Sequence, residues 1–152
     1  MKVRDTLSAG VTALLTVRNV RQQLDDRIAK LKPSDTAAVN AATASFRARI
    51  TAVETTLYDV RNRSDEDNLV YAPGLLETIG FLNSISGTMP ARPTDQMGDV
   101  YDYLTPKLAK QLNELNTALK TDLPGVNAEL KKVGAPAIVS SSVDVLVPAR
   151  NF

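Results

Sequence analysis

The sequence contains no cysteine, no histidine and no tryptophan. Without cysteine there is neither a disulfide framework nor thiol chemistry, and an oxidising compartment is neither required nor excluded. Without histidine the commonest general base and the commonest metal ligand are both missing, so any chemistry falls to carboxylates, lysine, tyrosine and hydroxyls. Aromatic residues make up only 5% of the chain, so the core has to be aliphatic. Neither sign of charge dominates: 18 Lys and Arg against 17 Asp and Glu leave no overall field to draw in nucleic acid or an anionic membrane. No apolar run approaches the roughly 20 residues of a spanning helix, so membrane insertion is not expected. Met1-Lys2-Val3 is followed by Arg4 and Asp5 without the apolar stretch of a signal peptide. There is no Gly-rich phosphate loop, nucleophile elbow or zinc-ligand spacing.

What is present is helical periodicity. A chain of 152 residues suits one domain with a real core. From Val3 to Leu31 the positions Val3, Leu7, Gly10, Leu14, Val17, Leu24, Ile28 and Leu31 recur in steps of three and four, with Arg21 filling the slot between Val17 and Leu24. Arg21 is expected to lay its stem over the core edge with its head in water. Gly10 on that stripe disfavours helix unless a neighbouring helix approaches closely there. Lys32-Pro33-Ser34-Asp35 is a short connection, with Ser34 or Asp35 placed to cap a second helix from about Thr36 to Arg61. Its stripe reads Val39, Ala42, Phe46, Ile50, Val53, Leu57 and Val60.

A short third helix carries Leu75, Ile79, Leu82 and Ile85 and stops at Gly87 and Pro90. A fourth, capped at Thr94 or Asp95, carries Met97, Tyr101, Leu104, Leu108, Leu112, Leu115 and Leu119. Pro106 inside it predicts a kink or a restart. Asp122-Leu123-Pro124-Gly125 raises the same question before Val126, Leu130 and Val133, and Gly134 with Pro136 beyond it is a stop signal. From Ala137 onward Val143, Val145 and Val147 alternate with other residues, the pattern of an extended segment that lies on the bundle, pairs with another chain or stays unfolded. The expected fold is all-α: an up-down four-helix bundle over residues 1–136 with one short helix, and an extended C-terminal tail over 137–152.

Candidate sites are few. Asp65, Glu66 and Asp67 are a dense carboxylate run, but lack the alternate oxygen ligands, bend glycine and distant Glu of a calcium loop, so no metal and no cofactor is expected. Asn62-Arg63-Ser64 fits a glycosylation acceptor, a pattern short enough to arise by chance. Tyr58, Tyr71, Tyr101 and Tyr103 suit either a sugar-stacking surface or the edges of a helical core. Lysines between Lys107 and Lys132 alternate with acids, as on a solvated helix face.

One stretch stands apart from the helical monotony. Leu57-Tyr58-x-Val60-Arg61-Asn62-Arg63-Ser64, then Asp67, Leu69 and Tyr71, resembles a signature near the C-terminus of large secreted bacterial proteins built on a sortilin-like (VPS10-type) β-propeller with BNR repeats, commonly labelled glycosyl hydrolases or sialidase-like. In layout the resemblance continues through Leu75, the Leu-rich helix from Leu108 to Leu119 and the Gly134-Ala135-Pro136-Ala137-Ile138 segment. Ala72-Pro73-Gly74 and Leu76-Glu77-Thr78-Ile79 depart from the Tyr-Pro-Ile-Arg and Asn-Asn-Lys-Leu of that family.

The resemblance implies a non-catalytic, C-terminal helical domain of unknown precise role, structural or for protein interaction, with the parent's propeller as partner, self-association as a further option, and an extracellular or periplasmic location through the parent. Any catalytic residues of the parent would lie on the propeller. The resemblance makes Tyr58, Arg61, Asn62, Arg63, Asp67 and Tyr71 a structural junction, in which Arg61 and Arg63 have the donors to fix the crossover between the second and third helices. A carbohydrate- or peptide-binding module using the tyrosines near that junction is the alternative.

Overall fold

In the computed structural model the described residues are 2–61, 70–88 and 94–145. They form an all-α bundle: α1 (Lys2–Ile28), α2 (Pro33–Leu57), α3 (Leu75–Thr88), α4 (Asp95–Thr117), a π-helical segment (Ala118–Asp122) and α5 (Leu123–Lys132). The last three share helical backbone angles at Ala118 and Leu123 and so make one rod, interrupted only in its hydrogen-bond register. No helix among the described residues is long and apolar enough to cross a membrane.

The apolar stripes meet in one core. Leu24, Ile50, Leu57, Ile79, Leu112, Leu115 and Leu130 are wholly screened from solvent. Cross-helix pairs fix the directions: Arg18 and Arg21 reach Glu54 while Asp25 reaches Arg47, so α1 and α2 run antiparallel. Thr6 meets Tyr101 and Gly10 faces Leu108, so α1 and α4 run in the same sense. Gly10 lets α3 and α4 approach closely there: a Cβ would meet Cδ2 of Leu76 on α3 and crowd Leu108, so those leucine side chains would have to shift. The Tyr101 hydroxyl and the Thr6 hydroxyl satisfy each other at 2.8 Å inside the core, which removes the cost of burying either alone.

Several local expectations are corrected. Helix α2 begins at Pro33 rather than Thr36, with Lys32 as N-cap and no side-chain cap from Ser34 or Asp35. Proline's fixed φ and missing N–H suit the first helical position, so it starts the helix in place of a hydroxyl. The same helix ends at Leu57, not Arg61, and Val60 is half exposed. On α1 the slot assigned to Arg21 is filled by Val20, and on α2 Thr43, not Ala42, faces inward. Thr43 is tolerated because its hydroxyl donates to the Val39 carbonyl at 2.8 Å.

Pro106 neither ends nor restarts α4: it sits on the exposed face within a helix that continues to Thr117. At Pro124 the chain responds differently. The preceding π-helical segment, in which the Leu123 N–H donates to the Ala118 carbonyl, widens the turn. Widening relieves the clash that a proline ring makes with the carbonyl four residues back. Arg49 of α2 spans this segment, bonding Glu114 at 3.2 Å and Asp122 at 2.9 Å.

Helix α5 ends at Lys132 with Val133 as C-cap, and Gly134 just beyond has a φ of 72°, in the left-handed region. Ala135 N–H donates to the Leu130 carbonyl at 2.9 Å and Gly134 N–H to that of Lys131 at 3.1 Å. This pair of bonds closes the helix end and turns the chain back along the bundle. Residues 135–145 then run without regular structure over the surface between α1 and the α4–α5 rod, with Ile138 and Val143 buried.

Candidate functional site

The junction between α2 and α3 is built from its backbone outward. Tyr58 leaves the helix in an extended conformation, its N–H still bonded to the Glu54 carbonyl at 2.9 Å. Asp59 takes Arg61 as partner three ways: from the Arg61 backbone N–H at 3.0 Å, from Nε at 2.9 Å and from an η nitrogen at 2.6 Å. The Arg61 side-chain bonds, helped by its backbone N–H, hold the Asp59 carboxyl at about 2. The same guanidinium lies 4.4 Å from the Tyr71 ring centroid, so one arginine ties the two sides of the crossover together. Tyr58 meets a different cation, Arg18 of α1, at 5.6 Å. Asn62, Arg63 and Asp67 lie outside the described residues, as do Asp65 and Glu66.

Two residues that the sequence did not single out complete the junction. The Glu77 carboxylate accepts from the Gly74 N–H and, at 3.4 Å, from the Asp59 N–H, so it caps α3 and reaches back to the end of α2. Gly74 sits so close to α2 that an added Cβ would lie 2.7 Å from the Leu57 carbonyl oxygen and 2.8 Å from the Tyr58 Cα. A shallow depression opens beside them, lined by Thr55, Asp59, Pro73, Lys107 and Lys110 among others. Among the described residues no group of three or more His, Cys, Asp or Glu is placed to hold a metal ion.

The four tyrosines do not share a surface. Tyr101 is in the core, while Tyr103 is exposed with the Lys107 ammonium 3.6 Å above its ring, and that lysine draws the phenol's pKa down. Only Tyr58 and Tyr71 flank the junction.

Behind Tyr58 lies a buried carboxylate. Glu54 is 4% exposed and receives Arg18 Nε at 2.9 Å and an Arg21 η nitrogen at 2.5 Å. Burial pushes its carboxyl up, but the two arginines outweigh burial and the net shift is downward. Arg21 therefore does more than cover the core edge, as its position on the stripe suggested.

A second site, unforeseen, holds the extended segment. Gln23 of α1 donates to the Val139 carbonyl at 2.9 Å and accepts the Val139 N–H at 3.1 Å. Asn127 of α5 does the same to Ile138, at 3.0 and 2.7 Å. Asn116 of α4 does the same to Val143, at 2.8 Å in both directions. A primary amide presents an N–H donor and a carbonyl acceptor side by side, the same pair that a neighbouring β-strand would present, so each amide substitutes for a strand that is not there. Arg27 completes the grip, donating to the carbonyls of Pro136 at 2.7 Å and Ala137 at 2.8 Å.

This arrangement reads backbone rather than side chains, and only Ile138 and Val143 supply buried apolar anchors. The signal for it in the sequence is faint, because Gln23, Asn116 and Asn127 each look like ordinary polar residues beside a stripe. Compared with protein-family models, with curated proteins and with solved structures, the chain gives no match.

Proposed function

We propose that this chain is a non-catalytic helical domain carried by a larger sortilin-like, BNR-repeat β-propeller protein of the glycosyl-hydrolase-like class, with a structural or interaction role outside the cytoplasm. The reading is supported by the residues from Leu57 to Tyr71 that carry the resemblance, and above all by what Arg61 does there. It joins Asp59 to Tyr71 across the crossover, a role that fixes shape. The parent's propeller is the expected partner.

The test is to identify the propeller encoded in the same or the neighbouring reading frame and to mix it with this chain, reading complex formation by light scattering. A stoichiometric complex, weakened when Arg61→Ala alters the junction, supports the proposal. Flanking sequence without a propeller, or a propeller that stays monomeric beside the bundle, overturns it.

A specific observation favours a second reading, a peptide-binding module, though not at the tyrosines. The three amides that grip Ile138, Val139 and Val143 form a site for extended polypeptide, because their bonds go to main-chain groups that any non-proline residue offers.

A further inference from the structure

The groove between α1 and the α4–α5 rod is occupied, but its occupant is attached by a short turn and held by bonds that another copy would supply equally well. We propose that two copies of this chain exchange residues 135–145, each laying its extended segment across the three amides of the other. This deepens the peptide-binding reading by naming the occupant, and it does not depend on the propeller proposal.

Three features carry it. The segment that demonstrably fits the groove is this chain's own: Ile138 and Val143 fill the apolar positions, while Gln23, Asn116 and Asn127 take up the backbone of Val139, Val143 and Ile138. In the exchanged form every one of these bonds is re-made between copies, so no new chemistry is required. The turn that sends the segment back is three residues, Gly134-Ala135-Pro136, with a left-handed glycine and a proline that has no N–H to lose. Opening Gly134 to an ordinary extended angle redirects the segment at the cost of the Ala135-to-Leu130 closing bond, with Leu123–Lys132 left helical.

The third feature is the surface around the segment. Leu15 is 58% exposed and Val139 75%, and both line the depression that the segment shares with Thr12, Thr16 and Asn19. Val11, one turn before Leu15, is also exposed. Leu15 and Val139 border the groove and none of the described residues covers them, whereas a second body brought in by exchange would sit beside them. With a formal net charge of +1, the copies do not repel each other strongly. Against exchange stands the tether, which presents the segment to its own groove at an effective concentration on the order of millimolar. Exchange should therefore accumulate when chains fold together at high concentration and be scarce when they fold in dilution.

The absence of cysteine makes the experiment clean. One chain carries Thr16→Cys in the groove and another Ser141→Cys in the segment; the two are unfolded, mixed, refolded together at about millimolar concentration and oxidised. A disulfide between the two kinds of chain, in a species of twice the monomer mass and depleted when refolding is done about a thousandfold more dilute, is the expected result. A single chain carrying both substitutions, refolded in dilution, reports whether the groove captures the segment at all through an internal disulfide.

An internal bond without the mixed one overturns exchange while leaving the peptide-binding reading standing. Loss of both, together with fast hydrogen exchange at the Ile138, Val139 and Val143 N–H groups of the unaltered chain, overturns both. A dimer that forms equally well when Ile138→Asp and Val143→Asp release the segment also overturns exchange, since it would not use the groove. Should either cysteine variant fail to fold, light scattering on the unaltered chain decides: no dimer after concentrated refolding overturns the proposal.

Discussion

The Glu54 cluster allows a sharp prediction because its two halves sit in different surroundings. The carboxylate is 5% exposed at its side chain, while Arg18 and Arg21 are 45% and 30% exposed. Removing the carboxylate's charge with Glu54→Gln leaves two arginines that water can still reach, so the loss is on the order of 1 kcal/mol, the net worth of an ordinary hydrogen bond. Removing both arginines, with Arg18→Ala and Arg21→Ala together, strands a buried charge, a change that costs about 3 kcal/mol or more. At about 2 to 4 °C per kcal/mol for a chain of this size, the double variant should melt roughly 6 to 12 °C below the parent, and Glu54→Gln only a few degrees below.

The pH dependence gives an independent reading. In the parent, Glu54 has its folded pKa lowered, so its contribution is present above the unfolded carboxyl value and disappears as pH falls through the folded one. Without the arginines burial alone remains and the folded pKa rises, so the sign reverses and acidification relieves the variant. The gap in melting temperature between parent and double variant should therefore narrow between pH 7 and about pH 4. Calorimetry across that range is the assay. Equal melting of the two variants at pH 7, or a gap that widens in acid, would refute the reasoning.

Other outcomes follow from the same geometry. Leu112→Ala, at a wholly buried position, should cost about 2 to 5 kcal/mol by chemical denaturation, whereas Val139→Ala, 75% exposed, should leave the midpoint essentially unchanged; comparable losses would mean the seam is misplaced. Gly74→Ala should lower the melting temperature, because its Cβ meets backbone on α2 that cannot rotate away, and a neutral result would contradict the close approach. Arg61→Ala should melt below the control Lys131→Ala and free Asp59 from its lowered pKa, moving it up from about 2 in an NMR titration; an Asp59 that titrates unchanged would show that Arg61 does not hold it.

Much of the fold was legible because burial of aliphatic residues leaves a period of three to four. Leu104, Leu108, Leu112 and Leu115 needed only that argument, and Thr94 was readable as the cap of α4, its hydroxyl accepting from the Met97 N–H. The misreadings have local causes. Val20 beat the slot that strict alternation gave to Arg21, and Thr43 could be buried because it returns its own hydrogen bond to the helix. Pro33 looked like part of a loop although proline is well suited to the first helical position.

The break in pattern at the end of α2 was legible; the Gly74-to-Glu77 spacing of a capping box was there to be read, but the reach of Glu77 back to the Asp59 N–H and the close approach of Gly74 to α2 leave no trace in spacing. Gln23, Asn116 and Asn127 come from three helical elements and converge only after folding. No window of sequence contains that coincidence.

Amide hydrogen exchange of the intact chain tests most directly whether these three side chains stand in for a missing strand. The N–H groups of Ile138, Val139 and Val143, each accepted by an amide oxygen, should exchange clearly more slowly than those of Ser141 and Ser142 between them, and Asn127→Leu should release Ile138. Uniformly fast exchange from residue 137 to 145 would contradict the account.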